Sequence, residues 1–193
     1  MSTLARSHLL PSFLDDRAAI IIPGDPALTI SQSGFVEQCD AIQKQLCSLG
    51  LGTGMAVSII LPNSLEFAVV FLAIAWQRCI AAPLNPAYKE EEVEFYISDI
   101  DAAAIIVSKN AYEQKVPAVR AATKRNAGVI ECWTDEEGRV VFDVKARGRL
   151  EDRRDKPLEK AQEDDIGLIL HTSGTTGKPK AVLSTSGPDS SGD

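Results

Sequence analysis

Paired cysteines are missing from this sequence. None of Cys39, Cys47, Cys79 and Cys132 forms a C-x-x-C pair, and no histidine stands at zinc-finger spacing from them. That excludes a cysteine-built metal ribbon and reads as free thiols in a reducing compartment. Long hydrophobic runs are missing too. The most apolar stretch, Phe67 to Trp76, is too short to cross a bilayer and is flanked by Glu66 and Arg78. The first residues, Met1-Ser-Thr-Leu-Ala-Arg-Ser-His-Leu-Leu10, lack an apolar core of signal-peptide length. The expectation is an intracellular protein with no transmembrane segment. Positive charge is not in excess: the net charge is -7 and the pI about 4.9. A phosphate backbone needs a basic face, so nucleic acid is not expected as a partner. What is present is a chain of 193 residues with 45% hydrophobic content, enough for one packed domain and part of a second.

Along the chain, strand and helix patterns alternate. Ile20 to Ile22 is a short β-branched run closed by Pro23-Gly24. From Ser31, the residues Phe35, Cys39, Ile42, Leu46 and Leu49 form one apolar stripe at helical spacing, which Gly50 is placed to end. Met55 to Leu61 is nearly unbroken in apolar residues and predicts a strand buried on both faces. Asn63 then predicts a helix cap, with Glu66 completing a capping box, and the helix through Ala75 is apolar nearly all round. Cys79 to Pro83 predicts a strand. Lys89 to Ile100 predicts a helix whose first turn carries Glu90, Glu91 and Glu92, with Val93, Tyr96, Ile97 and Ile100 inward. Ala104 to Val107, Ala111 to about Arg125, and Gly128 to Cys132 continue as strand, helix and strand. Such alternation predicts an α/β fold, a mostly parallel sheet with helices on both faces. After Cys132 the order weakens. Lys145 to Asp165 is dense in mixed charge and reads as a solvated loop, with a docking patch as the other reading. Ile166 to Leu170 predicts one more buried strand.

That strand delivers the chain to Thr172-Ser-Gly-Thr-Thr-Gly-Lys-Pro-Lys180. Gly174 and Gly177 let the backbone bend toward a ligand, and their amides can form an anion nest. Thr172, Ser173, Thr175 and Thr176 add hydroxyl donors, and Lys178 and Lys180 add charge against an oligophosphate. The string is not a Walker loop. Lys178 is followed by Pro179, which lacks an amide donor and disfavours helix before it, and Ala181-Val-Leu183 looks like a strand. The loop is therefore expected to link two strands. Composition alone also fits an ordinary Ser/Thr/Gly surface turn.

The ordered string His171 to Lys180 resembles the phosphate-loop signature of the adenylate-forming superfamily. Acyl-CoA synthetases, peptide-synthetase adenylation domains and luciferases belong to that group. Leu61-Pro-Asn-Ser64, Pro83-Leu-Asn-Pro-Ala-Tyr88 and Glu92 to Asp99 resemble further segments of it. The likeness runs from about Ile20 to Leu183 and is nearest in character to oxalate–CoA ligases and peroxisomal-type CoA synthetases, with plant 4-coumarate–CoA ligases further off. The resemblance implies the large N-terminal domain of that fold, present in part. It also implies ATP, magnesium and coenzyme A as cofactors and a small carboxylic acid as substrate. The acid would be activated as an acyl-adenylate and passed to the thiol. Thr172, Ser173, Gly174, Thr175, Thr176, Gly177, Lys178 and Lys180 would contact the β- and γ-phosphates. No catalytic residue is assigned, and metal ligands stay open.

The sequence departs from the family in two places. Ala181 stands where a glycine is usual. From Ser184 to Asp193 the chain is polar, Gly/Pro-rich and without periodicity, which reads as a disordered tail. Ser191-Gly-Asp193 echoes a ribose-binding triplet by coincidence, because it lies too close to the phosphate string. The expected organisation is a partial AMP-binding domain over residues 1–183, a tail over 184–193, and no C-terminal domain. Three functional readings follow: a ligase cut short and inactive alone, a nucleotide-binding regulatory module that pairs with a full-length paralogue, or a fragment with a vestigial loop. The expected compartment is cytoplasmic or peroxisomal.

Overall fold

Ala56 to Ile60 forms the central strand because β-branched side chains pack well on both faces of a covered sheet. The computed structural model describes residues 16–25, 27–153, 162, 164–172 and 180–185. In it β3 (Ala56–Ile60) is buried at every position. A two-stranded antiparallel ribbon precedes it, β1 (Ala18–Ile22) with β2 (Leu28–Ser31). The alternation of Leu28, Thr29 and Ile30 is the signal for β2, a strand the sequence reading did not assign. The main sheet then adds β4 (Ile80–Pro83), β5 (Ala104–Ser108), β6 (Gly128–Thr134), β7 (Val140–Ala146), β8 (Ile166–Thr172) and β9 (Lys180–Thr185). Its strand order is β7-β6-β5-β3-β4-β8-β9. The pairs from β6 through to β8 are parallel, and each outer pair, β6–β7 and β8–β9, is antiparallel.

Among the described residues four helices cover the sheet: α1 (Gln32–Ser48), α2 (Leu65–Trp76), α3 (Glu90–Asp99) and α4 (Pro117–Lys124). Ser31 caps α1, its Oγ accepting from the Gly34 amide at 3.1 Å. Gly50, at φ 77, takes the left-handed turn after the helix. The stripe Phe35, Cys39, Ile42 and Leu46 packs with Val69 and Ile74 of α2 onto Val57, Ile59 and Ile106. Val93 and Ile97 of α3 and Val119 of α4 pack onto Ile60, Ile105 and Val107 on the opposite face. The expected mostly parallel sheet with helices on both faces is therefore present.

Several boundaries differ from the sequence reading. Ser64, not Asn63, caps α2, its Oγ accepting from the Phe67 amide at 3.4 Å. Glu66 consequently falls one position short of a capping box, and its carboxylate accepts the Thr134 hydroxyl at 2.7 Å instead. The helix expected from Ala111 is confined to Pro117–Lys124. Lys115 takes φ 48, and Pro117 disfavours helix at the residue before it but suits the first helical turn. Order does not weaken after Cys132: β6 turns back on β7 through Asp135, whose carboxylate accepts from the Glu137 and Arg139 amides. Nor is the charged stretch wholly a solvated loop. Leu150 is buried, Arg149 bridges to Asp101 at 2.7 Å, and the Arg153 amide donates to Ser48 O. β9 extends through Ser184 and Thr185, two residues past the strand expected. The remainder of the expected tail, 186–193, and residues 154–161 of the charged stretch lie outside the described residues.

All four cysteines are free and buried. Burial pushes the Cys39 and Cys79 thiols up to about 12, helped by Asp40 and by Cys47 respectively, and raises that of Cys132 as well. These three are inert core groups at neutral pH, not nucleophiles.

Candidate phosphate-binding site

Thr172 and Lys180, the two ends of the candidate string, are cross-strand partners at the mouth of the β8–β9 hairpin. The ladder behind them pairs His171 with Ala181, Leu170 with Val182 and Ile169 with Leu183. The string thus joins two antiparallel strands, as Pro179 and the following Ala181-Val-Leu183 indicated, and the described residues that follow it form β9 and not a helix. Ser173, Gly174, Thr175, Thr176, Gly177 and Lys178 lie outside the described residues. Of the eight candidate contacts, the structure therefore brings together the two at the base. Among the described residues no group of three His, Cys, Asp or Glu side chains is placed to hold a metal ion.

The position of the hairpin follows from the sheet. β8 runs parallel to β4, with Leu168 opposite Ala81, so Thr172 emerges at the carboxyl edge of the parallel strands. Open α/β sheets keep their ligand crevices at that edge. β4 leaves by the same edge into Leu84 to Lys89, where Asn85 folds the chain by accepting from the Ala87 amide at 2.9 Å. The Lys89 amide then donates to Glu92 at 2.8 Å and starts α3. At the opposite end of the strands, Arg78 anchors the start of β8 with two hydrogen bonds to Asp165, at 2.8 and 3.0 Å. Burial acts against the Asp165 carboxylate, but the Arg78 guanidinium and the Gln162 amide outweigh it and hold its pKa below the usual value. A cleft of about 360 Å³ also opens at that opposite end, between Gly52, Met55 and Gln77 and the strip Arg149 to Arg153. It precedes β3, so it is separate from the carboxyl edge.

Beside the hairpin mouth lies a cluster the sequence reading did not assemble. The His171 ring sits 4.7 Å from Tyr96 between centroids, and Tyr96 stacks on Tyr88 at 5.1 Å. His171 Nε2 lies 3.2 Å from Asp99 Oδ2. Burial, then the hydrogen bond with Tyr88 and the charges of Tyr88 and Glu92, raise the Tyr96 phenol above its ordinary value. A signal was legible: Tyr96 and Asp99 are three residues apart on α3, hence on one face, and His171 directly precedes the string.

Known proteins resemble this chain in sequence and in fold. The family model of AMP-binding enzymes covers residues 13–188. The chain is 36% identical over 169 residues to the oxalate–CoA ligase of Arabidopsis thaliana, spanning 86% of this chain and 32% of the relative. It is likewise 36% identical over 168 residues to the probable CoA ligase CCL9 of Humulus lupulus, spanning 86% of this chain and 31% of that one. The chain thus spans about a third of the length of these curated relatives. Among solved structures, MatB from Rhodopseudomonas palustris superposes with a TM-score of 0.70 at 23% identity, over 96% of this chain and 35% of MatB. The N-terminal domain of FACL13 from Mycobacterium tuberculosis gives 0.66 at 24%, over 94% and 43%. These two establish the fold. The chain belongs to the AMP-binding enzyme family.

Proposed function

We propose that this member of the AMP-binding enzyme family supplies the phosphate grip of an ATP-dependent carboxylic acid–CoA ligase. The observation that carries the reading is the hairpin: Thr172 opposite Lys180 at the carboxyl edge of the sheet, with the Ser/Thr/Gly/Lys string between them. Such a connection holds an anion without a helix dipole. The Gly174 and Gly177 amides would face the phosphate oxygens, the hydroxyls of Thr172, Ser173, Thr175 and Thr176 would donate to them, and Lys178 and Lys180 would balance their charge. ATP supplies the adenylate that turns a poor acyl donor into a good one. The residues of this chain keep the β- and γ-phosphates in place and stabilise charge as pyrophosphate departs.

The names of the relatives support coenzyme A as acyl acceptor and a small carboxylic acid as substrate. The free, buried cysteines support a reducing compartment, cytosol or peroxisome. No helix among the described residues is long and apolar enough to cross a membrane. No observation favours pairing with a full-length paralogue. Residues 1–193 by themselves are not expected to make an acyl-adenylate. Orientation of two reactants supplies roughly 7–11 kcal/mol of such a barrier, and a grip on the distal phosphates leaves the carboxylate unplaced.

The test joins this chain to the remaining two-thirds of an active relative and compares it with the same chimera carrying Lys178→Ala. Loss of one charge-assisted contact should cost about 1–3 kcal/mol in ATP use, read as kcat/KM for ATP in a pyrophosphate-release assay. Unchanged ATP kinetics in that variant would overturn the assignment.

A further inference from the structure

The cleft of about 360 Å³ at the amino end of β3 and β4 takes in none of the residues assigned to phosphate. One wall is the loop Leu49 to Met55, the other the strip Arg149 to Arg153, and Gln77 lines it as well. Both ends of the strip are held: the Arg149 amide donates to Asn126 O at 2.9 Å and the Arg153 amide to Ser48 O at 3.0 Å. Gly50, at φ 77, lets the strip pass where a Cβ would stand 3.0 Å from Glu151 O. Leu49, Leu51 and Leu150 are buried. The cleft is therefore preformed, partly apolar and in the size range of small-molecule sites. Its polar groups are of two kinds. Gln77 is 7% exposed, and its Nε2 donates to Leu51 O at 2.8 Å. That carbonyl needs a donor, so the carboxamide is fixed with Nε2 toward the loop and Oε1 turned away from it. Oε1 is buried with no hydrogen-bond partner. An acceptor in that state is unfavourable, and a bound N–H would satisfy it. Arg149 and Arg153 bring two guanidinium groups to the strip. Their carboxylate partners, Asp101 and Glu151, are 85% and 66% exposed, so these ion pairs are weak. Arg153 meets Glu151 through Nε and Nη2, which leaves Nη1 without a partner among the described residues. Such a group suits a carboxylate.

We propose that this cleft is a second ligand site, for a small N-acylated amino acid: the apolar body lies against Leu49, Leu51 and Leu150, the amide N–H donates to Gln77 Oε1, and the carboxylate meets Arg153. The site lies at the opposite end of the strands from the phosphate string and does not depend on that reading. The probe is hippurate, which carries a ring, one amide N–H and one carboxylate, titrated calorimetrically into the 193-residue chain. Benzoyloxyacetate replaces the N–H by an ester oxygen and leaves the rest unchanged. It should bind about two- to tenfold more weakly, the span of one net hydrogen bond. This comparison uses the unmodified chain, so it stands whatever the variants do. A Cβ at Gly52 meets no atom within 4 Å, so Gly52→Phe adds a ring to the cleft wall without disturbing the fold, and it should abolish binding. Arg153→Gln should weaken hippurate by about two- to fivefold, as an exposed ion pair does, and leave its methyl ester unaffected. No binding at millimolar hippurate overturns the proposal. So does equal binding of benzoyloxyacetate, which removes the role of Gln77 Oε1, or binding that survives Gly52→Phe, which places the ligand elsewhere. Equal loss of hippurate and its methyl ester in Arg153→Gln, or no loss of either, overturns the pairing of Arg153 with the carboxylate.

Discussion

β3 and β8 are both apolar strands inside one sheet, yet they live in different surroundings. Every residue of β3 is buried, because α1 and α2 cover one face and α3 and α4 the other. In β8, among Ile166 to His171, only Ile169 reaches that state, and Leu170 is 44% exposed. The residues alternate as a strand must. Ile169 joins Ala56 and Ile80 on the α3 face, so Leu170 points to the α1–α2 face, where the helices do not reach it. Apolar sequence therefore specifies a strand with two faces to cover, but not that this chain covers both. The stable half of the molecule builds the scaffold, and the half that carries the string rests on its edge.

The largest break in this comparison should come from the same kind of deletion made in each strand. Ile59→Ala, at a fully buried position, should cost about 2–5 kcal/mol in denaturant unfolding. Leu170→Ala should cost well under that, since much of its side chain already meets water. Equal losses would show that β8 is as enclosed as β3.

Next comes the joint between the two regions. Arg78→Ala leaves the largely buried Asp165 carboxylate with the Gln162 amide but without the guanidinium and should destabilise β8 by about 1–3 kcal/mol, read by hydrogen exchange at Ile166 to Leu170. The same pair sets an acid dependence. The folded pKa of Asp165 is depressed, so its contribution is present above the ordinary value of 3.8 and is lost as the pH falls below it. The unmodified chain should therefore lose β8 protection below about pH 4 more steeply than Arg78→Ala, and parallel curves would contradict the account.

How much of this was legible in the sequence follows the same division. Met55 to Leu61 announced a doubly covered strand because its run of β-branched residues has no polar face. Ser31 and the stripe to Leu49 announced α1. The string Thr172 to Lys180 announced its setting between two strands, since Pro179 argued against a helix. What escaped depended on neighbours distant in sequence. β7, Val-Val-Phe-Asp-Val-Lys-Ala, is an edge strand recognised only once it pairs back on β6. The cap is at Ser64 in place of Asn63, and Glu66 is bonded to Thr134, a partner distant in sequence. His171 was read as part of a motif, and its strap to Asp99 needed α3 and β8 side by side.

The smallest expected effect is Leu170→Ser. It should change stability by less than about 0.5 kcal/mol, because the side chain is already largely in water. It should nonetheless lower self-association, since an apolar group on an uncovered sheet face invites contacts between chains. Sedimentation of the two proteins side by side checks this, and equal association would place the adhesive surface elsewhere.

The central claim is that the edge hairpin, and not the buried scaffold, meets the phosphates of ATP. Phosphorus NMR of ATP with magnesium, titrated with the 193-residue chain, tests it most directly. The β- and γ-phosphate resonances should shift or broaden more than the α resonance, and Lys178→Ala should remove that response while Ile21→Ser, an exposed position in the separate β1–β2 ribbon, leaves it intact. A response that survives Lys178→Ala unchanged would contradict the claim.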